Sequence, residues 1–290
     1  MMRARPWVPF AFLAPALLGL LLFRFAPISI ALVGSFFGQS IRGESIFVGL
    51  KNYADLFADP AFWDTVKTTL VFNLIINPFQ VLCALGLAML ARRPTTFVDL
   101  FRASFLLPMT VSIALTSIIW SIMLDPTLGP VNGFLRWAGL PAQPFFRSAD
   151  QALWTLILVA TWKGAGYWMV FLLAGLLAIP QQLNESAEMD GANAWQRFRY
   201  VTLPMMKRPL AFVLVADTAA NFLLFAPVYI ITNGGPNGAT HLLMFEAYQS
   251  AFAYLNHGRS LALSSIILLI IIAIALVELR LFKPAEEDEA

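Results

Sequence analysis

Asp217 and Asn221 stand four residues apart inside the apolar run Leu210–Ile231, a spacing that sets both side chains on one face of a helix. At about 1.5 Å per residue, Asn221 falls roughly 17 Å from the basic end of that run, near mid-membrane if the run crosses a bilayer. A carboxyl and an amide at such depth need partners, supplied by neighbouring helices or by a polar solute in a water-filled path. Lys163, in the run Ala152–Leu177, is a candidate ionic partner for Asp217. In a third run Asn73, Asn77 and Gln80 lie near one helix face beside Pro78, where hydrogen bonds between helices are favoured over contact with a ligand. This is hydrogen-bonding chemistry and not catalysis. No Gly-Lys dipeptide occurs, so there is no P-loop, and neither His-Glu-x-x-His nor Gly-x-Ser-x-Gly is present. Two histidines and the single Cys83 make neither a recognisable zinc site nor an internal disulfide.

The elements that must hold these groups are long and apolar. Of 290 residues 59% are hydrophobic and 12% charged, with a mean hydropathy of +0.73. That is about half the charge of a soluble domain, which carries about 25%. The composition therefore excludes most soluble enzymes, nucleic-acid binding and disorder. A bilayer core takes about 20 apolar residues per helix. Six runs meet this: Val8 to about Gly34, Thr68–Leu90, Ser104–Leu124, Ala152–Leu177, Leu210–Ile231 and Leu261–Leu281. The fold expected is an all-α membrane protein of six spans, with residues 1–290 forming one domain.

Arg3 and Arg5 before Ala14-Pro15-Ala16 have some features of a signal peptide, but cleavage there would leave Leu17–Phe25 as a bare apolar terminus. The first run is therefore read as a span, with Arg24 snorkelling outward. Basic residues set the orientation. With the N-terminus inside, the cytoplasmic segments hold Arg3, Arg5, Arg92, Arg93, Arg102, Arg197, Arg199, Lys207, Arg208, Arg280 and Lys283, and the outer loops only Arg42, Lys51, Arg136, Arg147 and Arg259. Both termini are thus expected in the cytoplasm, and Glu286–Glu289 reads as a solvated acidic end. Short amphipathic helices are expected in the outer loops around Tyr53–Phe57, Phe134–Trp137 and Phe245–Tyr248, with Trp63, Trp137 and Trp154 near span ends at the interface.

The loop between the fourth and fifth runs, about residues 180–209, is the most structured on the cytoplasmic side. Asn184 is expected to cap a first short helix whose opening turn holds Glu185, Gly191 to make a tight turn, and Pro204 to stop a second helix. By physics alone this is either a helical hairpin resting on the membrane through Trp195 and Phe198 or a docking knob.

The loop resembles the signature of ABC importer permeases, Glu-Ala-Ala, three residues, Gly, nine residues, Ile-x-Leu-Pro. Glu185, Ala187, Gly191, Leu203 and Pro204 match it, while Ser186 and Val201 depart from it with side chains of similar volume. Other stretches are similar to the carbohydrate-uptake branch, the maltose-permease and glycerol-phosphate-permease type. They are Phe47–Tyr53, Leu107-Pro108, Asp125-Pro126 with Gly129 and Asn132, Trp162-Lys163-Gly164, Ala178-Ile179-Pro180 and Thr232–Pro236, in order along nearly the whole chain.

The resemblance implies a type I importer permease, one of two permease subunits, in a bacterial cytoplasmic membrane. It implies ATPase coupling through Glu185, Ala187, Asp190, Gly191, Ala192, Phe198, Leu203 and Pro204. It also implies a substrate path that includes Gly164, Tyr167 and Asn221, beside which Asp217 and Lys163 are placed. Tyr167 is suited to stacking on a sugar face, although a tyrosine lodged between helices has the same sequence appearance. Ala160 and Leu224 replace polar residues of the maltose type, which argues against maltose as the solute. The chain itself would hold no cofactor and no metal; two ATPase partners would bind ATP and Mg, and an external solute-binding protein would deliver a sugar, oligosaccharide or glycerol-phosphate-like solute. The alternatives are an ion-coupled secondary transporter, which would carry paired repeats and coupling carboxylates, and an integral-membrane enzyme, which would assemble catalytic groups near one interface.

Overall fold

The computed structural model describes residues 8–39, 44–92 and 96–282. Arg3, Arg5, Arg42, Arg93, Lys283 and Glu286–Glu289 lie outside them. In chain order the elements are α1 (Val8–Leu20), a π-helical turn at Leu21–Phe25, α2 (Ala26–Gly34), β1 (Phe37–Gln39), β2 (Ser45–Phe47), α3 (Lys51–Ala58) and α4 (Pro60–Leu90). They continue with α5 (Thr96–Thr110), α6 (Ile113–Met123), α7 (Pro130–Trp137), α8 (Ala149–Leu177), α9 (Gln181–Met189) and α10 (Ala194–Arg197). A π turn at Phe198–Thr202 leads to α11 (Leu203–Met205), α12 (Lys207–Phe222), another π turn at Val228–Thr232, α13 (Leu243–Phe252) and α14 (His257–Leu281). The short helices expected around Tyr53–Phe57, Phe134–Trp137 and Phe245–Tyr248 are α3, α7 and α13. The short antiparallel hairpin of β1 and β2, with Phe37 opposite Phe47, is an addition to the all-helical expectation.

The chain divides into two compact units, Met1–Trp63 with Glu246–Leu268, and Asp64–Phe245 with Leu269–Ala290. In the first, the apolar window within Phe12–Gly34 buries none of its residues against protein and Arg24 is exposed, as befits a helix apolar on all sides. Pro27 has no N–H to give the preceding turn, and the π turn just before α2 is where the ladder widens. Asn52 Nδ2 donates to the carbonyls of Ser35 at 2.7 Å and Phe37 at 2.9 Å, tying α3 to the hairpin. Arg259 reaches Asp59 at 2.7 Å and Glu246 at 3.1 Å. The guanidinium holds the Asp59 carboxyl below the usual carboxylate range.

The second unit has two apolar clusters that share α4 and α8. One joins Ala84 and Ala88 of α4, Met169 and Leu172 of α8, and Val213 of α12. The other joins Phe72 and Ile76 of α4 and Leu156 and Val159 of α8 with Leu224 and Phe245. Between these sets along each helix sit buried polar residues: Asn77 and Gln80 on α4, Thr161 on α8, Asp217, Thr218 and Asn221 on α12.

Among the described residues four helices, or helix stretches, are long and apolar enough to cross a membrane: Phe12–Gly34, α4, α8 and α14. The runs Ser104–Leu124 and Leu210–Ile231, expected as single helices, are both broken. In the first the axis turns by 106° between Thr110 and Ile113. Pro108 withholds an N–H from α5, and Ser112 restarts the chain by accepting from the Leu115 N–H at 3.2 Å. In the second α12 ends at Phe222, and Pro227 cannot donate to the turn before it.

Three expectations for the loop over residues 180–209 are corrected. Helix α9 begins at Gln181 after Pro180, so Asn184 lies within its first turn and caps nothing, and Glu185 starts the second turn, where it accepts from Gln181 Nε2 at 2.7 Å. Proline loses nothing at a helix start, because its missing N–H would be unpaired there anyway. Asn193 is the capping residue, in a reciprocal box with Gln196. Pro204 does not end the second helix: it sits in the first turn of α11, with the π turn before it accommodating the missing donor. Gly191 does make the turn, at φ +81°.

Candidate functional site

The polar layer of the second unit is a connected hydrogen-bond system. Asn221 Nδ2 donates to Asn77 Oδ1 at 2.8 Å, and Asn77 Nδ2 donates to the Thr218 hydroxyl at 2.9 Å. That hydroxyl donates to Glu278 Oε1 on α14 at 2.8 Å. Gln80 Nε2 and Trp168 Nε1 both donate to Asp217 Oδ1, at 2.5 and 2.6 Å. Asp217 is 0% exposed and its Oδ2 has no hydrogen-bond partner, and neither has Gln80 Oε1.

Beside this layer is a cavity of about 380 Å³. All five residues placed on a substrate path by the sequence line it: Lys163, Gly164, Tyr167, Asp217 and Asn221. Tyr167 is 39% exposed, with its ring edge-on to Trp168 at 4.7 Å. Ala160 and Leu224 also line it, so both departures from the maltose-type pattern make the wall apolar. Gly164 leaves room for the side-chain amide of Gln80, which a Cβ there would overlap and displace.

The expected pairing of Lys163 with Asp217 does not form. Lys163 Nζ donates instead to the carbonyls of Pro108 at 2.8 Å and Val111 at 2.6 Å. Those carbonyls lie where α5 ends and lack helical donors, while Asp217 already takes two. The break supplies the lining that sequence reasoning missed, Met109, Ile113, Thr116 and Ser117. Among these, only the Pro108 nearby signals a bend.

The knob formed by residues 180–209 is compact. The Gly191 N–H donates to the Glu188 carbonyl at 3.0 Å and the Ala192 N–H to the Ala187 carbonyl at 2.9 Å, closing the turn after Asp190. Arg197 pairs with Glu188 at 2.6 Å across it. Phe198 and Leu203 pack against the cluster of Ala88 and Met169, whereas Glu185, Asp190, Gly191 and Pro204 are exposed and Ala187 and Ala192 half-buried. The eight residues assigned to coupling thus form one anchored projection. Among the described residues no cluster of His, Cys, Asp or Glu suits a metal ion.

Residues 80–283 match the family described as the binding-protein-dependent transport system inner membrane component. The chain is 32% identical over 275 residues to the sn-glycerol-3-phosphate transport system permease protein of Agrobacterium fabrum, covering 94% of each chain. It is 31% identical over 273 residues to the sulfoquinovosyl glycerol transport system permease protein of the same organism, covering 93% of this chain and 89% of that one. A bacterial alginate ABC transporter, crystallised in complex with alginate pentasaccharide-bound periplasmic protein, contains a chain of the same fold. Its TM-score is 0.81 at 22% identity, over 94% of this chain and 92% of that one. With the broken apolar helices, the buried polar layer and the projection over residues 180–209 in place, the chain belongs to the family of inner-membrane, binding-protein-dependent ABC transport permeases, multi-pass subunits of the type I fold that are themselves non-catalytic.

Proposed function

We propose that this chain, acting as one transmembrane domain over residues 1–290, forms half of the translocation path of an importer for a sugar, oligosaccharide or glycerol-phosphate-like solute. The observation that carries the reading is the cavity of about 380 Å³ beside a mid-helix polar layer, with Asn221, Gly164 and Tyr167 on its wall. The relatives that transport glycerol phosphate and sulfoquinovosyl glycerol support the solute class. A second permease subunit completes the path, and an external solute-binding protein delivers to its outer side. Six crossings are formed by α1 with α2, α4, the bent α5 and α6, α8, the broken α12 segment and α14. Both termini lie on the cytoplasmic side, as the excess of basic residues in those segments favours.

The projection over residues 180–209 docks on one of two ATPase subunits, which bind ATP and Mg. Glu185, Ala187, Asp190, Gly191 and Ala192 form the turn that meets the ATPase, and Phe198 and Leu203 root it in the membrane bundle, with Pro204 starting the short helix that leads on to α12. Closure of the ATPase pair is transmitted through this root to α8 and α12. The test is to purify tagged chain from bacterial membranes in mild detergent and identify what accompanies it. An ATPase subunit and a second permease are expected; recovery without any ATPase, from membranes that contain one encoded beside this chain, would refute the reading.

A further inference from the structure

The joint between α5 and α6 is held by contacts from α8. Thr110 closes α5 and Ile113 opens α6 at an angle of 106° to it. A helix end exposes carbonyls with no donors, and in a membrane these must be satisfied by protein or water. Pro108 is buried, and its carbonyl and that of Val111 both accept from the Lys163 ammonium on α8. An ammonium at a helix C-terminus also meets the negative end of the helix dipole. One residue earlier, Trp162 packs edge-on against Trp120 of α6 at 5.4 Å. Three residues later, Gly166 lets the Phe105 carbonyl of α5 come so close that a Cβ would overlap it. Helix α8 therefore grips α5, the joint and α6 in succession, with Lys163 at the joint.

We propose that Lys163 is the positioning residue of this joint: it holds the bend against α8 and so sets the α6 wall of the cavity, Ile113, Thr116 and Ser117, without itself recognising the solute. Its two bonds go to main-chain carbonyls, so its task does not depend on the identity of the solute. Movement of α8 is carried to the cavity wall through this ammonium beside the Trp162 and Gly166 contacts. The transport consequence rests on the permease reading; the geometry of the joint does not.

The experiment uses the complete importer in nanodiscs, with amide hydrogen exchange followed by mass spectrometry and ATP hydrolysis stimulated by the importer's own binding protein. Lys163→Met, similar in length but without donors, is expected to speed exchange at residues 109–116 on the order of tenfold or more, leaving 213–221 unchanged, because two carbonyl bonds are lost. Stimulated hydrolysis falls with it. Lys163→Arg, which keeps several donors, should retain the wild-type exchange pattern. If Lys163 contacts solute, Lys163→Met lowers stimulated hydrolysis while exchange at 109–116 stays as in wild type, and that result overturns the proposal. So does a Lys163→Arg protein that exchanges as fast as the Met variant. Should the Met variant not be recovered as a complex, Lys163→Gln, with one amide donor, is expected to show intermediate acceleration, and none would again overturn it. Wild-type importer that shows no stimulated hydrolysis refutes the permease reading alone, since the exchange comparison stands without it.

Discussion

Introducing a single methyl at Gly164 tests the packing beneath the cavity. The Cβ of Gly164→Ala overlaps the amide of Gln80, whose Nε2 donates to Asp217 Oδ1 at 2.5 Å. The amide must swing away, and the bond to a buried carboxyl is lost, a cost on the order of 1–3 kcal/mol. Alanine recovers about 1 kcal/mol of helix propensity over glycine. The net destabilisation expected is therefore about 0–2 kcal/mol in the wild-type background. In a Gln80→Ala background the obstruction is gone and the bond is already absent, so the same methyl should be neutral or stabilising by up to about 1 kcal/mol. A double-mutant cycle on the detergent-solubilised protein, read by thermal or denaturant unfolding, isolates a coupling of about 1–3 kcal/mol between the two positions. Equal effects of Gly164→Ala in both backgrounds would refute the contact and the role given to glycine there.

Asn221→Ala removes the bond to Asn77 and a polar group from the cavity wall. It should leave complex assembly intact and reduce uptake at limiting solute by roughly tenfold, the equivalent of about 1–1.5 kcal/mol; unchanged uptake would assign the residue to helix packing alone. Gly191→Val places a β-branched residue at φ +81°, at a cost of roughly 1–2 kcal/mol or more. Retention of the ATPase and transport should both be lost while insertion persists, as followed by pull-down and uptake. The Asp125 carboxyl accepts from the N–H groups of Leu128 and Thr127 and from the Thr127 hydroxyl, which lower its pKa to about 2. A pKa depressed on folding means a contribution present above the ordinary value of 3.8 and lost as pH falls toward about 2. Exchange protection of Thr127 and Leu128 should therefore hold at pH 4 and fail near pH 2, and Asp125→Asn should flatten that dependence.

The lengths of the apolar runs mark the continuous helices α4, α8 and α14 to within eight residues of their ends, because a bilayer-length hydrophobic stretch has few alternatives to a helix. The breaks were less legible. Pro108 and Pro227 each announce a missing donor, but whether a proline kinks, breaks or is absorbed depends on what satisfies the freed carbonyls. At Pro108 the answer lies 55 positions away, in Lys163. The same long-range competition undid the expected pairing of Lys163 with Asp217. Each charge found nearer partners, which no pattern along one helix reveals. Asn221 and Gly164 were readable from position, yet the sequence did not disclose that Asn221 both bonds to Asn77 and faces the cavity. In the loop over residues 180–209 the turn at Gly191 was evident from its glycine, whereas the cap expected at Asn184 was not formed, because Pro180 starts α9 at Gln181 and leaves Asn184 inside the helix.

The two apolar clusters separated by a layer of amides and hydroxyls give α4, α8 and α12 an uneven resistance to sliding. Interdigitated methyl groups resist a small axial slip, because displacement opens voids that nothing fills. The side chains of Asn77, Thr218 and Asn221 can instead exchange one acceptor for another over similar distances, and the unused oxygens of Gln80 and Asp217 are spare acceptors in the same layer. The polar layer is thus a low-friction plane within an otherwise rigid bundle: helix shear of a fraction of a turn there trades hydrogen bonds instead of breaking them.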